Sequence, residues 1–295
     1  MMPHQLNWQE ICQMIPKRKA DAQKGDFGRL LCITGSRNMP GACLLSTQAA
    51  LRGGAGLVTV ATAPENPMRL AAAAPEAMWL PLETDEAGFL RSSDQNRKTL
   101  EKQLSRANAV MLGCGLGVNE ETRRLVHWVL EQAVCPVVLD ADGLNCAVSC
   151  IELSRRTGKD WILTPHPGEM ARLTGRSIPQ IQENRVETAT QFAAAYPVTL
   201  ALKGAGTLVA QGSRLAQNPT GNPGMSRGGS GDVLAGLIAA FAAQGIPSWE
   251  AACAGVYLHG LAGDAAAAAL SQQAMLPRDL LVYLPQVLVK LEQER

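Results

Sequence analysis

The sequence predicts an α/β protein organised around a mostly parallel sheet, and two observations carry that prediction. Short β-rich runs alternate with longer helical patterns from one end of the chain to the other, the arrangement that βαβ units produce. Several of these short runs are apolar throughout instead of alternating with polar residues, as strands covered on both faces are.

Taken in order, Leu30–Thr34 is the first expected strand, an apolar run ended by Gly35-Ser36, and Ala42–Arg52 is the helix that follows it. Leu57–Ala61 is the next strand. Glu83–Arg106 is the most polar stretch and is expected as a peripheral loop and helix. Ala109–Leu112, Val137–Leu139, Trp161–Thr164 and Val198–Leu202 are four further strands, with helices expected at Glu120–Gln132 and Pro179–Ala195. The C-terminal part is helical, at Asp232–Gln244, Trp249–Leu270 and Pro277–Gln293. A length of 295 residues would allow two domains of roughly 150 residues, but α/β folds of this size often form one. With no internal repeat, low-complexity linker or sharp composition shift, residues 1–295 are expected to form a single domain.

Composition excludes several classes of partner. Lys and Arg number 27 against 26 Asp and Glu, and no basic run exceeds Lys17-Arg18-Lys19. Such a distribution gives no electrostatic footprint for nucleic acid or an acidic membrane. The eight cysteines are scattered through apolar segments, without a Cys-x-x-Cys or a Cys/His pair at zinc-ligand spacing, so a reduced, cytoplasmic protein is expected. Residues 1–20 lack the apolar core of a secretory signal. The longest uncharged apolar run, Val233–Ala243, falls short of the roughly 20 residues that span a bilayer. A chain of about 300 residues buries roughly three quarters of its unfolded surface and needs no covalent staple.

Function is expected where the strands end, because the carboxyl ends of parallel strands share one rim and ligands bind along it. On that rim the sequence places Gly35-Ser36, Gly113-Cys114-Gly115-Leu116-Gly117, Asp140-Ala141-Asp142, Pro165-His166-Pro167-Gly168-Glu169 and Lys203-Gly204-Ala205-Gly206-Thr207. The sharpest signal lies further on, where Asn222–Arg227 leads through Gly228-Gly229-Ser230-Gly231-Asp232 into an apolar helix. Small residues let backbone N–H groups approach a ligand, and a helix N-terminus attracts anions. Gly228, Gly229, Ser230 and Gly231 therefore form a candidate anion hole for a phosphoryl group. Asp232 stands equally where an ordinary capping or first-turn carboxylate would. Lys203–Thr207 is not a Walker A sequence and reads either as a tight turn between strands or as a loop holding a nucleotide. Gly113–Gly117 lacks the third glycine of a dinucleotide fingerprint at the required spacing. His166 is the one histidine of four in such a setting, although a lone histidine is more often structural. Asp140 and Asp142 suit either a Mg²⁺ site or the start of a helix.

Together these segments resemble the ADP/ATP-dependent NAD(P)H-hydrate dehydratase family of the ribokinase-like superfamily. The matching pieces are Lys24–Gly28, Gly35-Ser36, Gly41-Ala42, Gly53–Val58, Gly113–Gly117, Asp140–Asn145, Thr164–Glu169, Lys203–Thr207 and Gly221–Gly236, in family order over residues 20–285. The combination of the last three is specific; none alone would be. The resemblance implies a ribokinase-like three-layer α/β/α fold. It also implies that Ala42, Gly117, His166 and Asp232 contact the hydrated dinucleotide, with Asp232 as catalytic base. Lys203, Gly204, Ala205, Gly206, Thr207 and Gly231 would hold ADP. Mg²⁺ is the implied cofactor, with Glu169 expected to hold it through water. A homo-oligomer, a tetramer in this family, and an NAD(P)HX epimerase acting in the same pathway are the implied partners; the chain is expected to have no room for the epimerase itself. Three positions depart from the family pattern: Met39 stands where an aromatic is common, Cys114 replaces the usual proline, and Arg227 precedes the glycine run.

The implied reaction is ADP-dependent dehydration of the S-epimer of NADHX or NADPHX, hydrated NAD(P)H. Hydration leaves a hydroxyl on C6 of the nicotinamide ring, and hydroxide is a poor leaving group. Transfer of the terminal phosphoryl of ADP converts it to phosphate, which the ring nitrogen's lone pair expels, giving NAD(P)H, AMP and phosphate. Two alternatives keep the same pocket. A small-molecule kinase acting on a vitamin-precursor alcohol would accumulate a phosphorylated alcohol, and a non-catalytic nucleotide sensor would show no turnover.

Overall fold

Ten strands form one sheet in the computed structural model, which describes residues 2–157 and 160–294. They are β1 (His4–Gln5), β2 (Arg29–Ile33), β3 (Leu57–Thr62), β4 (Met78–Pro81), β5 (Ala109–Leu112), β6 (Val137–Leu139), β7 (Trp161–Leu163), β8 (Val198–Leu202), β9 (Leu208–Gln211) and β10 (Arg214–Gln217). Their spatial order is β1-β10-β9-β8-β7-β6-β5-β2-β3-β4. The seven strands from β8 to β4 all pair in parallel, whereas β9 runs antiparallel between β8 and β10. The mostly parallel sheet is thus borne out, and every expected strand is present within a residue of its expected ends. Four strands lie outside the expectation: the two-residue β1, the edge strand β4, and the β9–β10 hairpin.

The helices are α1 (Trp8–Met14), α2 (Pro40–Arg52), α3 (Asn66–Leu70), α4 (Asp94–Leu104), α5 (Glu120–Gln132), α6 (Asp142–Ala147), α7 (Leu153–Thr157), α8 (Pro167–Thr174), α9 (Ile178–Glu183), α10 (Arg185–Ala195), α11 (Ser230–Ala243), α12 (Ser248–Leu270) and α13 (Pro277–Glu294). Successive residues of a strand point to opposite faces. In β2, Leu30 and Cys32 accordingly join a core shared with α1, α2, α11, α12 and α13. Leu31 and Ile33 join a second core shared with α4, α5, α6, α8, α9 and α10. Helices on both faces explain why the strands read as continuous apolar runs, and they make the three-layer α/β/α arrangement.

Three boundaries move for local reasons. Pro40 starts α2 two residues before the expected Ala42, since proline is pre-set for the first helical position. The helix expected over Pro179–Ala195 is two helices, because Asn184 sits at φ −126°, ψ 42° and interrupts it. α11 begins at Ser230, ahead of the expected Asp232, because Gly229 adopts φ +107° as its N-cap, a backbone region open chiefly to glycine. α11 is apolar all round and is the central helix of its layer. Of its residues only Gly231 and Asp232 escape full burial. Its approach to α2 depends on small residues: a Cβ on Gly236 would lie 2.2 Å from the Ser46 carbonyl oxygen. Among the described residues no helix is long and apolar enough to cross a membrane.

Candidate active site

Strand order brings the carboxyl ends of β8, β7, β6, β5 and β2 side by side, so residues far apart in sequence meet on one rim. Asp140, directly after β6, is buried, and its Oδ1 accepts hydrogen bonds from Lys203 Nζ at 2.6 Å and Thr164 Oγ1 at 2.8 Å. Lys203 follows β8, and its ammonium also lies 3.8 Å from Glu169 Oε2. Burial pulls the Lys203 pKa down, but the carboxylates of Asp140 and Glu169 outweigh it and hold the ammonium above its usual value. Glu169 is pushed up to about 7 by burial, with Asp140 adding to the rise and Lys203 opposing it.

Asp232 approaches this pair from α11. The ligand atoms of Cys114, Asp140 and Asp232 lie within 4.8 Å of one another. Burial, reinforced by the negative charge of Asp140, raises Asp232 to about 7. Asp232 is not the cap of its helix. Gly229 occupies that position and offers no side chain, and among the described residues no hydrogen bond from a backbone amide reaches the Asp232 carboxyl. The first-turn amides can be accounted for one by one. Ser230 N–H donates to Arg227 O at 3.2 Å and Val233 N–H to Gly229 O at 3.2 Å. Among the described residues, the N–H groups of Gly228, Gly229, Gly231 and Asp232 have no acceptor. Of the four amides expected to form the anion hole, that of Ser230 is therefore committed elsewhere, while Asp232's own amide, like those of Gly228, Gly229 and Gly231, has no acceptor among the described residues.

His166 is the N-cap of α8. Its Nδ1 accepts from Gly168 N–H at 2.9 Å and Glu169 N–H at 3.3 Å, and Glu169 Oε2 returns the favour by accepting from His166 N–H at 2.8 Å. A ring nitrogen that accepts cannot carry a proton, so His166 is the Nε2–H tautomer, and burial followed by the charge of Lys203 lowers its pKa. The ring is still about half exposed on the rim. Asp142 begins α6 and also accepts from Gly117 N–H at 2.8 Å. Ala42 presses on the same loop: a Cβ on Gly115 would meet Ala42 Cβ at 2.9 Å.

Lys203–Thr207 proves to be the turn between β8 and antiparallel β9, and at the same time it delivers Lys203 to the cluster. Gly204 and Ala205 are exposed. Arg185 of α10 holds the turn from behind, donating to Leu202 O at 3.1 Å and Ala205 O at 2.5 Å. Sequence reading gave Arg185 no role, since nothing in a helical arginine announces a backbone partner on another element. His259, buried in α12 with Nε2 3.0 Å from Ser230 O, was missed for the same reason. Two cavities, of about 290 and 270 Å³, lie at the opposite, N-terminal ends of the strands, lined by Arg29 and Leu57 in one and Gly28 and Asn108 in the other. Neither touches the cluster.

Comparison with known proteins shows the family to which this fold belongs. The sequence model for NAD(P)H-hydrate dehydratase matches residues 30–286. The chain is 43% identical over 281 residues to the bifunctional NAD(P)H-hydrate repair enzyme Nnr of Moorella thermoacetica, covering 95% of this chain and 53% of that protein. It spans about half the length of the curated bifunctional relatives it matches. It is 38% identical to the ADP-dependent (S)-NAD(P)H-hydrate dehydratase of Neisseria meningitidis, over 84% of this chain and 80% of that one. The crystal structure of the ADP/ATP-dependent NAD(P)H-hydrate dehydratase of Bacillus subtilis, co-crystallised with ATP/Mg²⁺, superposes with a TM-score of 0.81 at 30% identity, covering 98% of this chain and 99% of that chain. On these grounds the chain belongs to the NAD(P)H-hydrate dehydratase family.

Proposed function

We propose that this chain dehydrates the S-epimer of NADHX and NADPHX at the expense of ADP, releasing NAD(P)H, AMP and phosphate. The observation that carries the reading is Asp232: a carboxyl held at about 7, one residue from a set of helix-end amides with no protein acceptor. A base poised near neutrality can take the proton of the C6 hydroxyl as its oxygen attacks the terminal phosphorus of ADP. The P–O bond to AMP breaks as the new one forms, and the N–H groups of Gly228, Gly229, Gly231 and Asp232 stabilise charge on the group in transfer. The ring nitrogen then expels phosphate, and loss of a C5 proton restores the dihydropyridine.

Ala42, Gly117 and His166 line the substrate side of the rim. Gly117 N–H is committed to Asp142, and His166 Nε2 lies 3.3 Å from Glu169 Oε1, so the half-exposed His166 ring meets substrate with Glu169 behind it. The exposed turn Gly204-Ala205-Gly206-Thr207 is proposed to receive ADP by its backbone, together with Gly231, while Lys203 balances the charge of Asp140 and Glu169. A hard cation such as Mg²⁺ prefers oxygen donors and keeps much of its water. The Cys114–Asp140–Asp232 group suits it poorly, having a thiol and a lysine ammonium already bound to Asp140. Glu169, an oxygen donor beside the turn that would hold ADP, fits a water-bridged Mg²⁺, which would neutralise phosphate charge. The ADP dependence of the Neisseria relative and the ATP/Mg²⁺ of the Bacillus crystal support ADP as phosphoryl donor and Mg²⁺ as cofactor. We further propose a single-domain, cytoplasmic homotetramer working in series with an NAD(P)HX epimerase.

The test is incubation with S-NADHX, Mg²⁺ and either ADP or ATP, following NADH absorbance together with AMP and phosphate. Stoichiometric NADH and phosphate are expected with ADP. Accumulation of a phosphorylated alcohol would favour the small-molecule kinase, and no turnover would favour the nucleotide sensor.

A further inference from the structure

α12 braces the nucleotide end of the cleft through a row of polar contacts. Asn218 Nδ2 donates to Val256 O at 3.1 Å, Thr220 Oγ1 to Tyr257 O at 2.8 Å, and Asp264 accepts from Gly221 N–H and Asn222 Nδ2, both at 2.9 Å. His259 sits in the middle of this row and, among the described residues, is the polar side chain of this row that bonds to α11. Its Nε2 lies 3.0 Å from the carbonyl oxygen of Ser230. A carbonyl requires a donor, so Nε2 carries the proton. The imidazole is buried, and burial lowers it to about 4, so it stays neutral at every pH at which the enzyme would work.

The partner atom matters more than the bond. Ser230 C=O and Gly231 N–H belong to one planar, trans peptide unit and point in opposite directions. A donor fixed on the oxygen therefore fixes the direction of the N–H, and by drawing charge toward the oxygen it makes that N–H a stronger donor. The N–H is one of those with no protein acceptor. Gly231 itself faces the cluster, since a Cβ there would lie 3.1 Å from Lys203 Nζ and 3.5 Å from Asp140 Oδ2.

We propose that His259 is a positioning residue that locks and polarises the Ser230–Gly231 peptide, so that Gly231 N–H meets the phosphoryl group as it is transferred. The inference rests on the phosphoryl-transfer reading above. It assigns His259 no contact with substrate and no proton transfer.

The experiment compares the parent with His259→Leu, which fills the space without a donor, and His259→Gln, which restores an N–H donor. In His259→Leu, kcat for dehydration should fall about 10-fold, less than deletion of a whole oxyanion donor does, with KM for ADP changed less than about 2-fold. His259→Gln should recover to within about 3-fold of the parent. Binding of AMP with aluminium fluoride, which mimics the group in flight, should weaken in His259→Leu by about the same factor as kcat, while ADP binding holds. An active parent whose His259→Leu variant keeps its kcat and its fluoride-complex affinity would overturn the inference alone. So would equal losses in Leu and Gln variants accompanied by equal falls in Tm, which would make His259 a packing residue. A parent that converts no S-NADHX would instead overturn the functional reading on which the inference stands.

Discussion

Two helices begin on the same rim and end their first turns in opposite states. At α8 the accounts close: His166 caps Gly168 and Glu169, and Glu169 caps His166 in return. At α11 the N-cap is a glycine without a side chain, the next amide turns back to Arg227, and four N–H groups around it are left without a protein acceptor. Gly228 is exposed and Gly229, Gly231 and Asp232 are half-buried, and the left-handed backbone of Gly229, where a Cβ would lie 2.7 Å from Leu45 Cδ1, bars a Ser or Asp from the cap. On the proposed reading, α8 is built to hold its neighbours in place and α11 to hold a phosphoryl group.

The sharpest way to break that contrast is Asp232→Asn. If Asp232 is the base, kcat should fall by roughly 10²- to 10⁴-fold. Since Asp232 caps nothing, Tm should stay level or rise. The sign follows from its pKa: a carboxyl raised from 3.8 to about 7 in the folded state favours folding in its neutral form, and that contribution is lost as pH climbs from about 4 to about 7. Asparagine never ionises and escapes the loss. Turnover near the parent rate would reduce Asp232 to a first-turn acid and make the two helix ends alike.

Gly206→Val comes next in size. Gly206 holds φ +62°, and a Cβ there would meet Gln217 Nε2 at 2.5 Å, so the turn must distort. Calorimetry should show ADP affinity reduced about 10-fold or more, with hydrate binding retained, a loss of roughly 1.4 kcal/mol or more. The reverse pattern would exchange the two halves of the site.

The pH profile sharpens the comparison further. Below about 7, kcat/KM should drop about tenfold per pH unit as Asp232 takes up its proton. Asp140→Asn removes a neighbouring negative charge, so the surviving activity should show its acid limb at lower pH. A limb that stays in place would assign it to a group that Asp140 does not influence, and since Asp140 also raises Glu169, a limb that survives unmoved in Glu169→Gln excludes Glu169 as its owner.

His166→Ala should give the smallest change. It removes the cap of α8 and should cost about 1 kcal/mol, a few degrees in Tm. It should also raise KM for the hydrate while leaving the Mg²⁺ dependence unaltered, and a shifted metal requirement would undo the assignment of His166 to substrate.

The parts of the molecule legible in the sequence are those with local signatures. Continuous apolar runs located β2, β3, β5, β6, β7 and β8, because parallel strands buried on both faces need no alternation. β4 escaped because it is an exposed edge ending in Pro81, and β1 because two residues carry no period. Asn184 broke a helix whose apolar pattern ran on either side of it. In the site, the glycines, Asp232, His166 and Lys203 announced themselves by their place after strands or before a helix. What no sequence could rank was who pairs with whom. Lys203 is expected at the nucleotide, and nothing local to it announces that its ammonium also lies against Asp140, 63 residues away. His259 reads as one polar residue in an apolar helix until the carbonyl it grips is known.

The burial of α11 has a consequence for how the molecule breathes. Helix ends that bind ligands commonly fray, and their amides exchange with solvent through small local openings. Here the exposed tip belongs to a helix wedged by Gly236 against the backbone of α2 and enclosed on its remaining sides. Every residue of α11 from Val233 to Ala243 is buried among the described residues, which leaves a turn little room to unwind. Amide protons from Val233 onward should therefore exchange with deuterium only when the whole protein unfolds, and the proposed anion-binding end should be as rigid before ligand arrives as after.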